Sequence, residues 1–224
     1  MKLHFFVVYL GTFIILLTLI VALYYIRTQK PKYFRYILTN VILGFLISIN
    51  SILYDFFGNI GNKDLFYYIA HWLNFLQFLS LYKFFFTFFT NDNSIKTIKW
   101  LVVILSIIQL GFLLYSWVIT DLFLYVRIIG LLLLIVFSVK YFRNLLGSKP
   151  TIILLKSSSF WIVTGVFFSF SVNLPIYSIN PFLRNFSGFE NIGFQLFSIS
   201  NMTLIVFYIL IIKGYLCLKY PQNP

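Results

Sequence analysis

The amino-acid sequence predicts an all-α polytopic membrane protein: one seven-transmembrane-helix bundle over residues 1–224, with the N-terminus outside and the C-terminus cytoplasmic. Three observations lead there. The 224 residues are 61% hydrophobic and only 10% charged, where a soluble domain carries about 25% charged residues. The apolar residues gather into seven runs of about the 20 residues that a helix needs to cross a bilayer core. Period-two alternation is missing, which argues against a β-barrel.

The runs follow in order. Phe5–Ile26 is followed, not preceded, by its basic flank of Arg27, Lys30 and Lys32, so it reads as a span and not as a cleaved signal peptide. Phe34–Tyr54 holds Asn50 and Ser51 toward its far end. Leu65–Phe89 contains AHWLNFLQFLSLYKFFF, in which polar side chains interrupt an apolar helix. Trp100–Trp117 and Leu122–Phe142 are the fourth and fifth spans. Ser158–Tyr177 carries Pro175, which is expected to disrupt the helix near its outer end. Ile192–Leu218 is the last, and leaves the short tail KYPQNP. The connections are too short to bury a core of their own, so a signalling protein of this kind must act through another chain.

Basic residues orient the spans. Thirteen of the 17 lysines and arginines fall on one side: Arg27, Lys30, Lys32, Arg35, Lys83, Lys96, Lys99, Lys140, Arg143, Lys149, Lys156, Lys213 and Lys219. Lys2, Lys63, Arg127 and Arg184 fall on the other. The crowded side is the cytoplasmic one. Trp100 and Trp161 then lie at inner interfaces and Trp72 and Trp117 at outer ones, where amphipathic rings are favoured. The net charge of +12 is a topology signal and not a nucleic-acid footprint, because the cations sit between apolar runs and form no patch of their own.

Polar side chains concentrate in the outer halves of the spans. His71, Asn74 and Gln77 recur every three residues on the third, so they share a broad face. Gln195, Ser198 and Asn201 repeat the pattern on the seventh. The sixth carries Ser169, Ser171 and Asn173, and Arg127 lies six residues beyond Asp121 on the fifth, about 9 Å at helical rise. Unpaired polar groups are costly in hydrocarbon, so these should turn inward to meet one another or water. The expected result is an outward-facing polar cavity lined by His71, Asn74, Gln77, Arg127, Asn173 and Gln195, suited to a small ligand rich in acceptor groups. The plainer reading of each residue stands beside this one. Asn50, Asn173 and Asn201 can serve as interhelical glue. Arg127 can pair with Asp121 or Glu190 or extend to the surface, and Lys83 and Lys213 can snorkel to the inner interface.

Several chemistries lack their parts. The two histidines, His4 and His71, and the lack of a mid-span carboxylate argue against a metal hydrolase. No G-x-S-x-G or H-E-x-x-H run occurs, and the single Cys217 has no histidine to activate it and no partner for a disulfide. No enzymatic activity, cofactor or metal is expected. A small-solute transporter is the alternative, although a carrier built from repeats would show broken helices in both halves, and only the sixth span has a proline. A ligand-free accessory subunit is a third reading; its hint is the run KFFFTFF, Lys83–Phe89, as a lipid-facing aromatic surface.

The segments SSSFWIVTGVFFSFSVNLP, Ser157–Pro175, and SISNMTLIVFYILIIKGYLC, Ser198–Cys217, with Phe160–Trp161 and Gly165 as their most specific residues, resemble the last two helices of bacterial seven-helix sensory membrane proteins associated with histidine kinases. The resemblance covers the whole topology. It implies a receptor-like subunit of the bacterial inner membrane that relays a signal to a histidine kinase or another signalling or membrane subunit. It assigns no catalytic residue and no ligand.

Overall fold

The computed structural model describes residues 2–28, 32–57, 63–89, 94–115, 120–147, 154–184 and 190–219. Among these residues there are seven α-helices: α1 (Lys2–Thr28), α2 (Lys32–Phe57), α3 (Lys63–Phe88), α4 (Ser94–Tyr115), α5 (Thr120–Gly147), α6 (Ser158–Arg184) and α7 (Glu190–Leu216). Two short 3-10 turns, Leu154–Lys156 and Cys217–Lys219, precede α6 and follow α7. Trp117, Lys30, Lys149 and the tail beyond Lys219 lie outside the described residues, as do the side chains of His4, Asp121 and Glu190.

Each helix coincides with one apolar run. Five are long and apolar enough to cross a membrane, over Phe6–Arg27, Tyr33–Phe57, Arg127–Gly147, Ser158–Ile179 and Gln195–Lys219. They mark the chain as a membrane protein. The apolar part of α4, Lys99–Gly111, is shorter. The 26 residues of α3 are long enough, but Tyr67, Tyr68, His71, Asn74 and Gln77 make it too polar to stand with the other five.

Pro175 does not end α6. The helix runs through it to Arg184. A proline has no N–H to give the carbonyl one turn back, so the cost falls on the Ser171 carbonyl, and the Pro175 side chain is exposed.

The chain packs as two compact units. The first comprises Met1–Lys30 and Leu131–Pro224, and so holds α1, the second part of α5, α6 and α7. Its main seam joins α6 to α7, and α1 lies against α7. Ile162, Val163 and Val166 of α6 and Ile211 and Tyr215 of α7 are completely shielded. Close approach of the backbones makes this possible. A Cβ on Gly214 would stand 2.7 Å from Ile162 Cγ1 and 3.0 Å from the Ser158 carbonyl oxygen, and one on Gly165 would stand 3.1 Å from the Phe207 ring. Where lipid surrounds the helices, van der Waals contact across small residues takes the place of hydrophobic drive.

The second unit is Pro31–Gly130. Here α2 packs along α3, and α4 touches α3 only lightly. Asparagines stitch the α2–α3 seam at two levels. Asn50 Nδ2 donates to the Phe66 carbonyl at 3.0 Å, and Asn40 Nδ2 donates to the Gln77 carbonyl and to Ser80 Oγ, both at 3.2 Å. The run Lys83–Phe89 corrects a sequence expectation. Phe84, Phe85 and Phe89 are buried, and Phe84 and Phe88 pack with Tyr33 of α2 at ring separations of 6.2 and 5.3 Å. The aromatic run is thus core and not a lipid-facing surface.

Candidate functional site

α3 carries His71, Asn74, Gln77, Ser80 and Lys83 at intervals of three. Three residues advance a helix by about 300°, so the row winds slowly around α3 while rising about 18 Å from His71 to Lys83. Its members have different surroundings. His71, Asn74 and Gln77 are half-buried, Ser80 is buried and Lys83 is exposed. Asn74 Nδ2 donates back to the Ala70 carbonyl at 2.7 Å, which leaves its carboxamide oxygen as the group not used by that bond. Ser80 Oγ donates to the Gln77 carbonyl at 2.7 Å. That carbonyl therefore receives both Ser80 and Asn40, a polar knot that holds the middle of α3 to α2.

Arg127, near the start of the apolar part of α5, is half-buried. Its guanidinium lies within electrostatic reach of the His71 imidazole. The Tyr82 hydroxyl fixes this part of α5, donating to the Gly130 carbonyl at 3.1 Å from a fully packed position on α3. Gly130 gives that contact room, since a Cβ there would stand 3.1 Å from the same hydroxyl. His71, Asn74, Gln77 and Arg127 thus belong to one unit, with Arg127 held one helical turn from the Tyr82 tie.

Asn173 and Gln195 belong to the other unit. Asn173 is buried, and its whole carboxamide is engaged. Its Nδ2 donates to the Ser169 carbonyl and to Thr203 Oγ1, each at 2.8 Å, and its Oδ1 accepts from Ser200 Oγ. Thr203 Oγ1 in turn donates to the Ser200 carbonyl at 2.8 Å. A carboxamide has two N–H donors and one oxygen, so Asn173 spends itself clamping α6 to α7. Gln195 is exposed on α7. Asn50 gives an N–H to its interhelical bond. Asn40 and Gln109, buried polar residues of α2 and α4, stand out only in the structure. An asparagine in TNVILG and a glutamine in IIQLG were their signals in the sequence.

The half-buried groups around α3 are a guanidinium, an imidazole and carboxamides. Such a set gives hydrogen bonds to acceptors and favours negative charge, with the Arg127 fork matched to a carboxylate or phosphate. Nucleophilic chemistry finds no support in the thiol: Cys217 is buried and its Sγ points at the Leu155 carbonyl, 3.6 Å away. Among the described residues no three His, Cys, Asp or Glu side chains converge as a metal site would require. No protein-family model, curated protein or solved structure matches the chain.

Proposed function

We propose that the chain is a receptor-like integral membrane subunit that senses a small ligand, or the state of the membrane, from the outer side and relays it to a separate signalling partner. In this reading all seven helices cross a bacterial inner membrane, with the N-terminus outside and the basic connections within. The observation that carries it is the half-buried Arg127 guanidinium within electrostatic reach of the His71 imidazole, in the unit that also holds the half-buried amides of α3. A cation and several donors within an apolar helix group are costly unless they meet protein partners, a ligand or water. The ligand class that fits is a small anion with acceptor groups.

The α3–α5 contact is the element through which binding would act. Ligand held between His71 and Arg127 favours one packing of α5 on α3, and a partner reading the inner ends of these helices responds to that packing.

The test is thermal stabilisation of the purified chain by a panel of small carboxylates and phosphate esters, on wild type and on Arg127→Gln. A ligand at about 100 times its Kd adds about 2.7 kcal/mol to stability. A panel member that stabilises wild type and not the variant supports the site. Equal shifts in both, or no shift across the panel, count against it. The alternative, a small-solute transporter, is favoured by the continuation of the polar row from His71 down to Lys83. Flux of a stabilising anion into reconstituted vesicles, lost in Gln77→Ala, would establish that reading instead.

A further inference from the structure

We infer that the corner where α6 begins and α7 ends binds the headgroup of an anionic diacyl phospholipid. The proposal concerns the first unit only and is independent of the receptor reading.

The corner is built around Trp161. Its indole N–H donates to the Leu155 carbonyl at 2.9 Å, which ties the Leu154–Lys156 turn to the helix. The ammonium of Lys213 lies over its ring, 5.8 Å from the centroid, within cation–π range. The Tyr141 hydroxyl meets Ser159 Oγ at 2.7 Å, which brings the end of α5 against the same place, and Phe142 packs on Phe160. Lys140 and Arg143 flank those two aromatic residues, Lys156 stands on the turn and Lys219 follows α7. The sequence places no Asp or Glu in the first unit except Glu190, at the opposite end of α7. Among the described residues of the first unit the charged side chains at this corner are therefore all cationic, at the ends of two membrane-length spans, Ser158–Ile179 and Gln195–Lys219. That is the depth of the headgroups.

An apolar track leads to the same lysine. On α7, Met202, Val206, Ile209, Lys213 and Leu216 follow one another at intervals of three and four and are all exposed, so they share one outward face. From Met202 to Lys213 the rise is about 16 Å, close to half of a hydrocarbon core of about 30 Å. The face thus offers one leaflet's depth of acyl contact ending at a fixed positive charge. A free phosphate would use the charge and leave the track unused. A zwitterionic lipid would use the track and place its own cation beside Lys213 and Lys156.

The experiment is lipid retention by the purified full chain in neutral detergent, read by native mass spectrometry after adding phosphatidylglycerol, phosphatidylcholine or glycerol phosphate. Wild type should retain phosphatidylglycerol at least about fivefold over phosphatidylcholine, and excess glycerol phosphate should fail to displace it. A lysine near the surface contributes about 1 kcal/mol to anionic-lipid binding, about a fivefold change, so Lys213→Gln and Lys156→Gln should each reduce retention by about that factor. Lys213→Arg should keep it, and Arg35→Gln, an equal loss of charge in the other unit, should leave it unchanged. Lys156 is exposed on the turn before α6 and lies outside the α6–α7 seam, so a folding defect in the Lys213 variant does not remove the test. Equal retention of the two lipids, displacement by glycerol phosphate, or the same loss in Arg35→Gln would overturn the proposal.

Discussion

Replacing Gly214 by alanine probes the α6–α7 seam at its tightest point. The new methyl would stand 2.7 Å from Ile162 Cγ1 and 3.0 Å from the Ser158 carbonyl oxygen. Neither neighbour yields easily. One is backbone, and the other is the branch of a side chain that a helix holds in one main rotamer. The helices must separate. An extra methyl in a packed core costs about 1–3 kcal/mol, and this site belongs at or above the upper end. Alanine returns about 1 kcal/mol of helix propensity. The expected net loss is about 2 kcal/mol, a fall in Tm of roughly 4–8 °C for a chain of this size. Two further glycines bracket the result. At Gly165 the nearest atoms are 3.1–3.4 Å away, so Gly165→Ala should lose less, about 1 kcal/mol. At Gly111 nothing lies within 4 Å, so alanine there should leave Tm unchanged or raise it by a few degrees. The single cysteine supplies the assay. Cys217 is buried beside the seam, so a fluorogenic maleimide should report its exposure as the purified protein is heated. A Tm for Gly214→Ala equal to or above that of wild type would refute the close approach of α6 and α7 and the packing argued from it.

Other perturbations follow from the same contacts. Asn173→Ala removes both interhelical bonds to α7, at about 0.6 kcal/mol each, and should lower stability by about 1 kcal/mol in the same assay without altering ligand shifts. Tyr82→Phe deletes the tie to the Gly130 carbonyl and should cost about 1 kcal/mol; under the receptor reading it also weakens any stabilisation that depends on Arg127, so an unchanged ligand shift would count against the α3–α5 coupling. Below the melting transition, Cys217 of wild type should remain unlabelled by the maleimide over minutes, and prompt labelling of the folded protein would contradict its burial.

The helices were legible because apolar runs of bilayer length have few other uses, and five of the seven runs fold as helices long and apolar enough to cross a membrane. Legibility ended where a residue's role depends on which way it faces. Asn173, Gln195, His71 and Asn74 are equally polar interruptions in a sequence, yet Asn173 turns to α7 and saturates there while Gln195 faces outward. A period of three winds around a helix, so a polar row identifies a neighbourhood and not a common wall. Pro175 shows the same limit for backbone: a proline inside a span costs one carbonyl its donor, and helix packing on both sides can hold the helix through it. The aromatic run Lys83–Phe89 read as lipid-facing because phenylalanine suits both lipid and core, and only the rings of Tyr33, Phe84 and Phe88 distinguish the two. Asn40 passed unnoticed because one carboxamide in an apolar helix carries no mark of the carbonyl it will meet.

The central claim is that the chain passes a signal to a separate protein. The measurement that tests it most directly is purification from native membranes in mild detergent after brief crosslinking, with quantitative mass spectrometry of what accompanies the chain. The account predicts a histidine kinase or another signalling subunit at stoichiometric yield, crosslinked to the basic connections and depleted when Lys140 and Arg143 are replaced by glutamine. A chain recovered alone, or with a membrane complex that has no signalling component, would contradict it.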